Sequence, residues 1–285
     1  MMAETFTPDP ELNRQYSNDL WASNGADSRA AANAKSLEIR ERLPGRLDIS
    51  YGEGPDEVLD IFPADASGRP VHVFFHGGGW MRGSKDTACF TAEMITEAGG
   101  LFVAVNFSKA DKVSLAEITA QSRAAVAWVY QNIARYGGGP ERIFVCGKSS
   151  GAQQAGMVAC TDWSQYGLPD DVVKGGVLVS GSYDLTPMTK TDRLTNVGVD
   201  EAVAEALSPA KHIPAKGCPL ILAHAQHDAP ELHRQAREFA AMWRAAGHES
   251  RLLVEENVDH FSMAVPMADK DSYLGQAILT QMGLL

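Results

Sequence analysis

Cysteine is scarce in this sequence: Cys89, Cys146, Cys160 and Cys218 are scattered, with no close pair. That spacing excludes a zinc knuckle or a C-x-x-C redox motif, and buried free thiols are the expected state. Cations are also short, with 25 lysines and arginines against 36 acidic residues and a formal net charge of −11. A nucleic-acid partner is therefore not expected, because such binding rests on cations set against phosphates. No stretch approaches the roughly 18 to 20 uninterrupted apolar residues that a spanning helix needs, so no membrane partner is expected. The opening MMAETFTPDPELNRQY lacks a basic segment followed by an apolar one, so no secretory signal is expected and the cytoplasm is the default location. Repeats and low-complexity linkers are missing too, which leaves residues 1–285 as one expected domain.

What is present suits a sizeable core: 45% of residues are hydrophobic and 21% charged. An N-terminal helical segment, about residues 1–45, contains a helix over Ser28 to Leu43. From about residue 50, short β-branched or aromatic runs alternate with longer helical patterns, the signature of a mostly parallel sheet covered by helices. Strands are expected at Leu47 to Tyr51, Val58 to Phe62, Val71 to Phe75, Leu101 to Phe107, Arg142 to Cys146, Gly176 to Ser180, Leu220 to Ala225 and Arg251 to Glu255. Helices are expected at Thr87 to Ala98, Leu115 to Tyr136, Ala152 to Ala159 and Asp271 to Leu284. Residues from about 183 to 213 break the alternation and are expected to form an insertion that caps the sheet edge near a site.

Gly147-x-Ser149-x-Gly151 lies between a strand pattern and a helix pattern. In that setting the two glycines permit a sharp strand-to-helix turn that lifts a serine oxygen above the sheet, so Ser149 is the expected nucleophile. A phosphate-binding loop is the rival reading of Gly147-Lys148-Ser149, but it needs a glycine where Arg142 stands. Ser150 follows the nucleophile, and its N–H is expected to join those of Gly78 and Gly79 in an oxyanion hole. The two glycines belong to His76-Gly77-Gly78-Gly79-Trp80, directly after a buried strand. His76 itself is expected to be structural.

With the serine first, the acid and then the histidine should follow. Of eight histidines, His260 stands after the last strand and before the final helix. Asp228 follows the strand ending at Ala225 and is the expected acid, with Asp259, Asp184 and Glu231 as rivals. Its carboxylate would fix the tautomer of His260 and stabilise the imidazolium. His224, His227 and His233 match no zinc spacing, so no metal and no cofactor are expected. Trp80, Phe107, Tyr183 and Phe261 are the expected pocket walls, and a small-molecule ester or amide is the expected partner. A homodimer remains open.

The motifs resemble those of the α/β-hydrolase fold and, within it, the kynurenine formamidase (arylformamidase) and esterase branch. The likeness runs from Leu12-Asn13-Arg14-Gln15-Tyr16 through Tyr51-Gly52, Leu59-Asp60-Ile61-Phe62, His76 to Trp80, Arg123 to Trp128 and Ser180 to Leu185, ending at His260-Phe261. The resemblance implies a mostly parallel twisted sheet, a Ser149-His260-Asp228 acyl-enzyme mechanism and no cofactor. The family's formamidases carry an aromatic residue where Gly79 stands, and histidine and alanine where Lys148 and Ser150 stand. Gly79 instead resembles the triple-glycine loop of hormone-sensitive-lipase-like esterases. Two alternatives therefore stay open, a short-chain carboxylesterase of that type and a small-molecule binder without turnover.

Overall fold

β-branched and aromatic residues in alternation build the centre of the molecule. Along Val71-His72-Val73-Phe74-Phe75 every side chain is buried: Val71, Val73 and Phe75 enter one hydrophobic layer and Phe74 the other. The computed structural model describes residues 7–63 and 66–285. Residues 1 to 6 of the expected N-terminal segment therefore lie outside the described residues.

The strands are β1 (Arg46–Ser50), β2 (Val58–Phe62), β3 (Arg69–Phe75), β4 (Leu101–Val105), β5 (Gly138–Lys148), β6 (Val173–Val179), β7 (Leu220–His227) and β8 (Ser250–Asp259). They form one sheet in the order β1-β2-β4-β3-β5-β6-β7-β8. β1 and β2 enter antiparallel, and every pairing from β4 through β8 is parallel. The helices are α1 (Pro10–Tyr16), α2 (Gly25–Arg42), α3 (Ala92–Glu97), α4 (Leu115–Asn132), α5 (Ser150–Ala159), α6 (Asp192–Thr195), α7 (Glu201–Ala206), α8 (Pro230–Ala245), α9 (Ala264–Ala268) and α10 (Tyr273–Gln281). Apolar faces of α4, α5 and α8 (Val126, Ala152, Phe239) cover one side of the sheet. Those of α2, α3, α9 and α10 (Ile39, Ile95, Met267, Ile278) cover the other. Among the described residues no helix is long and apolar enough to cross a membrane.

Three expected helices are shorter than their sequence patterns; the last, expected from Asp271 to Leu284, spans only Tyr273–Gln281. Only Ala92–Glu97 of the stretch from Thr87 is α-helical, because a 3-10 turn, Lys85–Thr87, is drawn into a charge network and Phe90 packs edge-on against Phe74 at 5.4 Å. α4 tightens into a 3-10 turn at Ile133–Tyr136 and stops at Gly137, whose φ of 90° suits a residue without Cβ. The insertion from Tyr183 to Ile213 contains α6, α7 and two 3-10 turns. It is tied to α1 by the Asp9 N–H donating to the Lys190 carbonyl and by paired bonds between Asn13 and Asp192, both 2.9 Å.

Candidate active site

β5 ends at Lys148 and α5 begins at Ser150, so Ser149 alone makes the turn, with φ 58° and ψ −124°. This is a sparsely populated region for a non-glycine residue. The turn is held by the Ser149 N–H donating to the Val179 carbonyl at 2.8 Å. The flanking glycines are steric requirements: a Cβ on Gly147 would meet the Gly151 carbonyl oxygen at 2.1 Å, and one on Gly151 would meet the Phe75 oxygen at 2.1 Å.

The carboxyl ends of β7 and β8 bring the other two groups to the same rim. His260 Nε2 lies 3.0 Å from Ser149 Oγ, and His260 Nδ1 lies 2.7 Å from Asp228 Oδ1. The second Asp228 oxygen accepts from Ser180 Oγ at 2.6 Å and from the Ala225 N–H at 2.9 Å. Asp228 and His260 are buried, and the tautomer that donates from Nδ1 to the carboxylate leaves Nε2 free to accept from the serine. Asp259 takes a different part: its Oδ1 accepts from the N–H groups of Phe261 and Ser262 and shapes the turn that carries His260. Ser180, at the end of β6, escaped the sequence reading, since a lone serine after a strand carries no signal of its partner.

Burial, together with the Lys148 ammonium, holds the His260 imidazole below its ordinary value, although the Asp228 carboxylate opposes the shift. Burial would raise the Asp228 carboxyl, yet the hydrogen bonds from His260, Ser180 and Ala225 hold it below the usual carboxylate range. Lys148 itself is pushed down by burial to about 8.

The loop after β3 takes the conformation its glycines allow, with Gly78 at φ 127° and Gly79 at φ 62°. A Cβ on Gly78 would meet the Arg82 carbonyl oxygen at 2.0 Å. Among the described residues the amides of Gly78, Gly79 and Ser150 donate to no other group. His76 Nδ1 lies 2.8 Å from the Gly77 carbonyl, and its ring stacks on Phe107 at 4.2 Å.

A cleft of about 870 Å³ opens above Ser149 and His260, walled by α1, α2, the glycine loop and α6. Phe261 lines it, and Trp80 lines a small recess beside Ser149 and Ser150 while its indole donates to Gln153 at 3.1 Å. Phe107 and Tyr183 are not walls of the cleft, which corrects the expectation from sequence. Phe107 is sealed beneath His76, and Tyr183 stacks on Phe239 at 4.9 Å with its hydroxyl donating to the Leu178 carbonyl. Both follow the ends of strands, β4 and β6, where an aromatic residue can enter either the core or the cleft, and aromatic alternation does not distinguish the two. The cleft also holds Arg29, Arg82 and Arg193, which no motif announced. Among the described residues no group of three or more histidine, cysteine, aspartate or glutamate side chains is arranged to hold a metal ion.

Sheet order, elbow and rim together define the class: an α/β hydrolase. The chain belongs to the BD-FAE family, whose model matches residues 59–242, and more narrowly to its kynurenine formamidase relatives. The kynurenine formamidase of Salmo salar is 33% identical over 287 residues, covering 96% of both chains. Esterase LipQ of Mycobacterium tuberculosis is 26% identical over 314 residues, covering 100% of this chain and 73% of its own. A solved structure from a Silicibacter species superposes with a TM-score of 0.81 at 25% identity, covering 94% of this chain and 98% of that one.

Proposed function

We propose that this protein is a serine hydrolase that cleaves a small carboxylic ester or aryl formamide through an acyl-enzyme on Ser149. The observation that carries the reading is the continuous hydrogen-bonded series from Ser149 Oγ through His260 to Asp228, built on a strained serine backbone. His260 Nε2 takes the hydroxyl proton as Ser149 Oγ attacks the acyl carbon, and Asp228 stabilises the imidazolium. The amides of Gly78, Gly79 and Ser150 hold the tetrahedral oxyanion, each worth roughly 3 to 4 kcal/mol. Collapse expels the alcohol or arylamine, which takes its proton from His260, and water repeats the sequence in reverse to free the acid. The stretch 183–213 forms one wall of the cleft and serves as its cap within a single catalytic domain.

One observation favours a carboxylesterase with a broader acyl side: the position of a Cβ on Gly79 is open space, where the family's formamidases carry an aromatic side chain. Comparing kcat/KM on formanilide and on short p-nitrophenyl esters separates the two readings. The serine assignment is tested by Ser149→Ala, expected to cut kcat by roughly four to six powers of ten. Retention of a tenth of wild-type turnover removes it.

A further inference from the structure

The whole chain carries a formal net charge of −11, yet its cleft is cationic. Five of its lining residues are Arg14, Arg29, Arg82, Lys148 and Arg193, against the carboxylates Asp19 and Asp192. Arg14 is occupied, paired with Glu11 at 3.6 Å and stacked over Trp21. The other four come from α2, the glycine loop, the elbow and α6, and among the described residues none has an ion-pair or side-chain hydrogen-bond partner. Asp192 is taken by Asn13, and Asp19 is exposed at the rim.

Bringing like charges together costs free energy; Asp228 and Asp259 act on Lys148 and Asp19 on Arg193, yet burial still leaves both cations below their ordinary values, so the arrangement is retained only where something else offsets that cost. The four divide by depth. Lys148 and Arg193 are half-buried, while Arg29 and Arg82 stand exposed at the mouth, Arg29 lying 4.8 Å above the Phe261 ring. Arg193 reaches deepest, since it also lines the recess shared by Gly79, Ser149 and Ser150. Lys148 lines the cleft together with Ser149 and its charge acts on His260, so a group bound there lies beside the reacting serine. The groups lie within one another's fields: Asp19 and Arg82 act on Arg193, Asp228, Asp259 and Arg29 act on Lys148, and both deep cations act on His260.

Resting on the reading of this cleft as the reaction site, we infer that the natural substrate carries at least two negative charges, as carboxylates or a phosphate. Arg193 with Arg82 receives one charge and Lys148 with Arg29 the other. Guanidinium groups suit this task because their fork matches the planar oxygens of a carboxylate or phosphate. A neutral ester would leave all four cations without a partner in the complex.

Binding and turnover are measured separately so that the inference and the reading beneath it can fail independently. Calorimetric titration of the intact protein with terephthalate, its monoamide, its diamide and phenyl phosphate varies charge on a common ring. Affinity is expected to rise at least about tenfold with each added charge and to fall as salt is raised to about 0.5 M. Phenyl phosphate binding above terephthalate assigns the charge to phosphate, and the reverse order assigns it to carboxylates. Arg193→Gln should remove most of the preference for the dianion over the diamide. Arg82→Gln, at an exposed position, should reduce the same ratio if the first variant does not fold. Equal affinity for terephthalate and its diamide, or a preference that survives both substitutions, overturns the inference. If the preference is found but Ser149→Ala still turns over formanilides bearing the same acids, the cleft assignment stands and the acyl-enzyme reading falls.

Discussion

At the scale of single residues, the elbow carries an unusual neighbour. Lys148 precedes the serine, and its ammonium lies in the field that lowers His260. A general base must be neutral to accept a proton, so activity falls as pH drops through the His260 value, which stands below the ordinary 6.5. Lys148→Met deletes a like charge and should raise that value, moving the acid limb of kcat/KM to higher pH. A pH profile for the variant that overlays wild type would show that Lys148 does not act on the base. Ser180 is of similar interest, because its hydroxyl donates to the carboxylate that orients His260.

Among elements, the N-terminal helix is fastened to the sheet by charge. Asp60, fully buried on β2, accepts from Arg40 of α2 at 2.6 Å and from the Asp48 N–H of β1 at 2.8 Å, and pairs with Lys85 at 3.0 Å. One carboxylate thus joins a helix, two strands and the 3-10 turn before α3. Asp60→Ala would leave Lys85 buried without its innermost counter-charge. The expected loss is about 3 to 5 kcal/mol of unfolding free energy, measured by urea denaturation. A loss below 1 kcal/mol, the range of an exposed ion pair, would show that Asp48 and Asp86 suffice. The joint bears on function as well, since α2 brings Arg29 to the mouth of the cleft.

For the molecule as a whole, buried neutral histidines set the response to acid. Burial lowers His72 from 6.5 to about 3 and His76 to about 4. Below pH 6.5 the unfolded chain therefore binds more protons than the folded one, so stability is full above that pH and declines as pH falls. His72 is packed between Phe74 and Phe102, with ring centroids at 6.3 and 5.6 Å, and its Nε2 has no partner among the described residues. His72→Phe should stabilise the protein by about 2 to 3 kcal/mol more at a pH of about 4.5 than at about 8. Equal effects at the two pH values would show that His72 does not titrate across this range.

Much of this protein could be read along the chain. Burial on both faces made β3 and β4 evident, and the glycines around Ser149 spelled out a turn because their requirement is steric and local. The order serine, aspartate, histidine followed from strand ends that a parallel sheet must place on one rim. Tertiary contacts settled other features. Phe107 and Tyr183 sit on the same periodic pattern as wall residues, and only the packing of His76 and Phe239 puts them in the core. Arg29, Arg82, Lys148 and Arg193 lie on four separate segments, and no local pattern links them. Backbone sterics and side-chain period act over a few residues and are written in sequence order, whereas a cleft's charge depends on which distant segments the closed chain lays against one another.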